Sequence, residues 1–183
     1  MSKIFVIIII SSISSIVACS NSNEFVESNF CSNIEKNYSE ISASLKSKEI
    51  NYKLNLFYAD KKSEHLQGLM CLKNLPNPID GMLFEYKTEQ SSAFWMYETH
   101  FPITIIYFDK NRDSIEYFDM KPCDRRKIET DSDYSNRCYE ESKIYTPSRK
   151  YVFALEIPSE HENINEIKTF IKDQRLKLVI NYW

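Results

Sequence analysis

Glu98 and His100 stand two residues apart, so on a strand both would project from one face and could act as a metal-ligand pair or as an acid with its partner. Two groups do not complete a zinc site, which takes three or four ligands, and His65 and His161 are distant in sequence with no ligand-like spacing. No metal site and no cofactor is expected. Asp109, Asn111 and Asp113 begin like a calcium loop, but Ser114 replaces the glycine of the sixth position and Met120 the glutamate of the twelfth, which excludes that site. Phe94, Trp95 and Met96 offer an aromatic platform for a sugar or an apolar ligand, although large side chains in a short strand are more often core. The only glycines, Gly68 and Gly81, are too far apart for a dinucleotide fingerprint or a phosphate-cradling loop, both of which need glycines a few residues apart. Arg125, Arg126 and Lys127, beside Asp124 and Glu129, read as a solvated loop. No complete set of nucleophile, base and orienter is present, so no catalytic residue is assigned.

The elements that must position these residues read mainly as strands. Tyr52, Leu54, Leu56 and Tyr58 alternate with Lys53, Asn55 and Phe57, which places four large side chains on one strand face. Asp60 is the expected cap of a short helix ended by Gly68. Short runs bounded by Pro and polar residues follow at Met82–Tyr86, Ala93–Tyr97, Ile103–Phe108, Ser114–Met120 and Lys150–Ile157. Ile103–Phe108 is apolar on both faces and predicts a doubly covered strand, joined to the next by the polar turn Asp109–Asp113 in an antiparallel hairpin. Ile164, Ile167, Phe170 and Ile171 recur at helical spacing, and Leu176, Leu178, Ile180 and Tyr182 alternate as a last strand. The fold class is mainly β: a single-domain antiparallel β-sandwich or jelly-roll-like barrel with two or three short helices. The chain has 183 residues, and its 12 Tyr, 11 Phe and 2 Trp are too many for a disordered polypeptide.

Lys3 followed by the apolar run Ile4–Ile10 and the serine-diluted stretch to Ala18 form a signal-peptide pattern, shorter than the roughly 20 residues that span a bilayer. Ile16, Val17, Ala18 and Cys19 resemble the bacterial lipoprotein box. That resemblance implies cleavage before Cys19 and lipid attachment to it, and acyl chains would bury about 0.8 kcal/mol per methylene in the membrane. The expected organisation is a lipoprotein signal over 1–18, a polar tether over 19–50 and a β domain over 51–183. Within the tether, Ile34, Tyr38, Ile41 and Leu45 recur at spacings that suit a short amphipathic helix. Loss of residues 1–18 removes Lys3 and leaves 22 basic against 26 acidic residues, so no positive field exists to gather nucleic acid.

Gly68, Leu69, Met70, then Leu75 and Pro76, then Gly81, Met82, Leu83 and Phe84, followed by Phe94, Trp95, Met96, Thr99, Pro102, Phe108 and Asp109, resemble the domain-of-unknown-function family 192 in order and spacing. Pro122, Cys123, Cys138 and the run Tyr151–Ile157 extend the resemblance, which covers about 51–157. It implies a compact, often exported β-sandwich or jelly-roll-like barrel and no particular reaction. This chain departs from the family at His65, where an Arg is usual, at Glu98, Thr99 and Thr104, where Asn, Thr and Asp are usual, and after Pro158, where closing glycines are missing. Trp95, Met96, Glu98, Thr99, His100 and Thr104 are accordingly the candidate ligand-binding residues.

With Cys19 lipidated, four cysteines remain, as suits an oxidising compartment. Cys123 and Cys138 close a loop of about 15 residues and are expected to pair, contributing roughly 3 kcal/mol by restraining the unfolded chain. Cys31 and Cys71 are left open between pairing and reduction. The expectation is a lipid-anchored protein of the bacterial envelope, periplasmic or on the cell surface. It would act as a non-enzymatic module for a small ligand, a glycan or an envelope protein. The alternative is an extracytoplasmic enzyme with a polar site around Glu98 and His100.

Overall fold

The structure is a computed structural model that describes residues 30–182, except 35–36 and 174–175. The expected signal over 1–18, the lipidated Cys19 and the first part of the expected tether lie outside the described residues. Seven strands form one sheet: β1 (Ser39–Lys46), β2 (Asn51–Ala59), β3 (Gly81–Gln90), β4 (Ile103–Phe108), β5 (Ser114–Met120), β6 (Tyr151–Pro158) and β7 (Lys177–Asn181). Three helices accompany them: α1 (Lys62–Gln67), α2 (Asp131–Ser142) and α3 (Ile164–Lys172).

The strand order is β5-β4-β6-β3-β2-β1-β7, and the sheet curls until its two edges approach. At that corner the Ser114 N–H donates to the Leu176 carbonyl and the Leu178 N–H to the Arg112 carbonyl, both at 2.9 Å. The fold is thus mainly β, a half-barrel of one domain. Every pairing is antiparallel except β2 with β3, which is parallel. A parallel neighbour needs a long crossover, and the segment from Asp60 to Asp80, carrying α1, supplies it.

Alternation along the strands builds a core on each side of the sheet. Leu54 and Leu56 of β2, Leu83 of β3, Ile106 and Phe108 of β4, and Leu155 and Ile157 of β6 meet Ile164, Ile167, Phe170 and Ile171 of α3 on one face. Phe57, Phe84, Ile105, Tyr107 and Tyr151 face the other way, under Leu69, Met70, Met96, Tyr97 and Tyr134. All six residues of β4 are buried, as its two apolar faces require. Burying each such large side chain contributes roughly 1.5–3 kcal/mol. In the β4–β5 turn the Asp109 carboxylate accepts the N–H groups of Asn111 and Asp113 at 2.8 and 3.0 Å, which fastens the hairpin.

Several expectations are corrected. The stretch read as tether up to residue 50 contains β1, which lies inside the sheet between β2 and β7. Its Ile41, Ala43 and Leu45 alternate into the core, and ladder bonds on both sides outweigh the weak helical spacing that begins at Ile34. The run Ala93–Tyr97, expected as a strand, is irregular, and Glu98 follows it with φ of 51°. The polar stretch after Cys123 holds a helix, α2, capped by the Thr130 hydroxyl accepting the Asp133 N–H. The cap of α1 is Lys61 rather than Asp60, with the Glu64 carboxylate accepting the N–H groups of both.

Candidate functional site

Helix α1 is too short to stand on propensity, and its ends fix it. The Glu64 carboxylate closes the first turn, and Gly68, at φ of 50°, turns the chain sharply back into the core. That turn buries Leu69 and Met70, leaves Leu66 exposed and keeps His65 half-buried. The His65 ring stacks on Tyr86 at 4.2 Å, and its Nε2 lies 3.0 Å from the carbonyl oxygens of both Ala59 and Glu85, to which it donates.

Opposite α1 runs the irregular segment after β3. The Tyr151 hydroxyl donates to the Ser92 carbonyl at 3.0 Å, Phe94 meets Phe84 edge-on at 4.8 Å, and half-buried Trp95 stacks on Tyr97 at 5.1 Å. Between this segment, α1 and the end of α2 lies a groove of about 700 Å³. Tyr86, Phe94 and Trp95 give it aromatic walls, Ser91, Ser92, Ser142 and Thr146 give it hydroxyls, and the exposed Leu66 and Tyr139 stand at its sides. A volume of this order suits a small organic ligand.

Phe94, Trp95, His65 and Leu66 also line a second, narrow cleft of about 30 Å³, together with Gly68–Met70, Phe84, Thr99 and Glu156. Glu156 sits in β6 at 4% exposure. Burial pushes its carboxyl up to about 8, because the low-dielectric surroundings disfavour the charged form. Strand β3 passes hard against its backbone: a Cβ on Gly81 would lie 2.1 Å from the Glu156 carbonyl oxygen.

The structure divides the candidate residues. Trp95 and Thr99 line the cleft, whereas Met96 is core at 2% exposure. Glu98 and His100 are not on a strand, and neither lines the groove or the cleft. Their side chains do approach, with Nε2 of His100 3.9 Å from Oε2 of Glu98. The Glu98 carboxylate is buried beside a disulfide between Cys31 and Cys71, with Oε2 3.6 Å from the Cys31 sulfur and Oε1 without a hydrogen-bond partner among the described residues. The sulfurs and that carboxylate lie within 4.8 Å of one another, yet both sulfurs are spent on each other and are not metal ligands in this form. Thr104 belongs to another neighbourhood: its hydroxyl donates to Asp119 at 2.7 Å, and Asp119 pairs with Lys168 of α3.

Cys123 and Cys138 are joined, as their spacing predicts, and tie the loop before α2 to the helix. Arg137 reinforces the tie: it pairs with Glu129 at 2.6 Å and Glu141 at 3.0 Å and donates to the Asp124 carbonyl. Sequence reasoning missed Glu156, although one acidic residue inside the otherwise apolar run Tyr151–Ile157 is a signal of a buried carboxyl.

The model of the DUF192 family, described as "Uncharacterized ACR", matches residues 43–169. Two solved structures share the fold. One is a candidate transcription regulator from Sinorhizobium meliloti 1021, with a TM-score of 0.55 and 16% identity, over 80% of this chain and 98% of that one. The other is a protein of unknown function from Novosphingobium aromaticivorans DSM 12444, with a TM-score of 0.54 and 13% identity, over 86% of this chain and all of that one. At such identities the likeness carries the fold alone. No curated protein matches the chain.

Proposed function

Because this chain belongs to the DUF192 family, in which no reaction is established, we propose from its own geometry that it is a ligand-binding module of the bacterial envelope, held by lipid on Cys19. The observation that carries the binding role is the groove of about 700 Å³ with Phe94 and Trp95 in its wall and hydroxyl side chains around it. Aromatic faces with ringing hydroxyls suit a small ligand with both apolar and hydroxylated parts. A non-enzymatic role is favoured because the groove's histidine commits Nε2 to two carbonyls and Glu98 is turned away from the groove. The two disulfides fit an oxidising, extracytoplasmic setting.

The chain has two tryptophans, so in a Trp183→Phe background Trp95 is the sole indole reporter. Titration with hexyl glucoside, which offers an apolar tail and a sugar, is expected to shift Trp95 fluorescence saturably. Replacing Tyr86 by Ala is expected to weaken that binding at least ~10-fold, a loss of about 1.4 kcal/mol. A linear, unsaturable response in the unaltered groove removes this reading.

A further inference from the structure

The cleft off the groove leaves a carboxyl uncompensated. Glu156 is almost fully buried and lines the cleft, and among the described residues it has no hydrogen-bond or ion-pair partner. A buried carboxyl in that state is costly unless something pairs with it. The titratable groups in its surroundings are Tyr38 from the segment before β1, Tyr86 of β3 and Tyr107 of β4, all kept protonated by burial, and His65 of α1, which shares the cleft. None of them is a permanent cation. The cleft, at about 30 Å³, has room for a small polar group. Its remaining walls include the rings of Phe84, Phe94 and Trp95, whose faces attract positive charge.

We propose that the cleft receives the primary ammonium group of a ligand whose stem lies in the adjoining groove, with Glu156 as its counter-ion. This rests on the groove reading above and names the chemistry of its ligand. A primary ammonium is small, carries three donors and is a counter-ion that lets the buried carboxyl ionise in place. As it seats, the carboxyl gives its proton to solvent, so binding and proton release are coupled and amine affinity rises with pH up to about 8.

The test titrates the full chain, carrying Trp183→Phe, with hexylamine against hexanol and with glucosamine against glucose, following Trp95 fluorescence. At least one amine is expected to bind ~10-fold or more tightly than its alcohol counterpart at pH 7.5. That preference is expected to grow between pH 6 and 7 and to vanish in Glu156→Gln, whose cooperative thermal transition shows that it folds. Preference for hexylamine alone identifies an alkyl stem, and preference for glucosamine alone a sugar stem. Equal affinity of amine and alcohol for the unaltered cleft overturns the ammonium assignment and leaves the groove standing. A preference for the amine that survives in Glu156→Gln also overturns it. No saturable response to any of the four overturns the assignment and the groove reading together.

Discussion

Glu156 couples the protein's stability to pH in a direction opposite to that of most carboxylates. Its carboxyl titrates at about 8 in the folded protein and near 4.5 when unfolded, so between those values the folded state holds a proton that the unfolded chain has released. Stability is therefore greatest below about pH 4.5 as far as this group is concerned, and falls as pH rises through 8. Thermal unfolding followed by circular dichroism from pH 5 to pH 9 is expected to show this loss, amounting to several kcal/mol. Glu156→Gln is expected to flatten the curve over that range, and parallel curves for the two proteins would discard the assignment. At this scale the sequence was partly legible. Trp95 and Thr99 stand out by type and do meet at the cleft, but the two-residue spacing of Glu98 and His100 carried meaning only on a strand. The positive φ at Glu98 removes that strand and turns its carboxylate toward Cys31.

At the scale of elements, the contact between β3 and β6 is the tightest constraint on the site. A methyl group on Gly81 would meet the Glu156 carbonyl oxygen at 2.1 Å, so Gly81→Ala must push the two strands apart. A loss of about 3 kcal/mol or more is expected in urea unfolding. A change within 0.5 kcal/mol would show that the strands yield freely. The bridges act on a different state. Cys31–Cys71 closes a loop of 40 residues and Cys123–Cys138 one of 15, so the chain-entropy account assigns them roughly 4 and 3 kcal/mol. Replacing both cysteines of a pair by alanine is expected to lower stability in that order, measured as denaturant midpoints. β4, β5 and the final strand were legible because their alternation and bounding polar turns are strong local signals. β1 was not, because Ala43 and flanking serines dilute its apolar face and one of its two partners, β7, lies far along the chain.

At the scale of the whole molecule, the half-barrel was foreseeable as a class but not in its topology. The parallel β2–β3 pairing and the meeting of β7 with the β4–β5 turn depend on long-range contacts that no local pattern encodes. Among the described residues no helix is long and apolar enough to cross a membrane, and the attachment proposed above is argued from the sequence around Cys19. Growth with labelled palmitate is expected to label the protein and to leave Cys19→Ser unlabelled, and equal labelling of both would remove the anchor. The Cys31–Cys71 bond has a mechanical consequence for such an arrangement. A pull exerted from the amino-terminal side arrives at Cys31 and crosses the sulfurs to Cys71, bypassing β1, β2 and α1. The load is then borne by a covalent shunt instead of unzipping a strand, and the wall of the groove keeps its shape under tension.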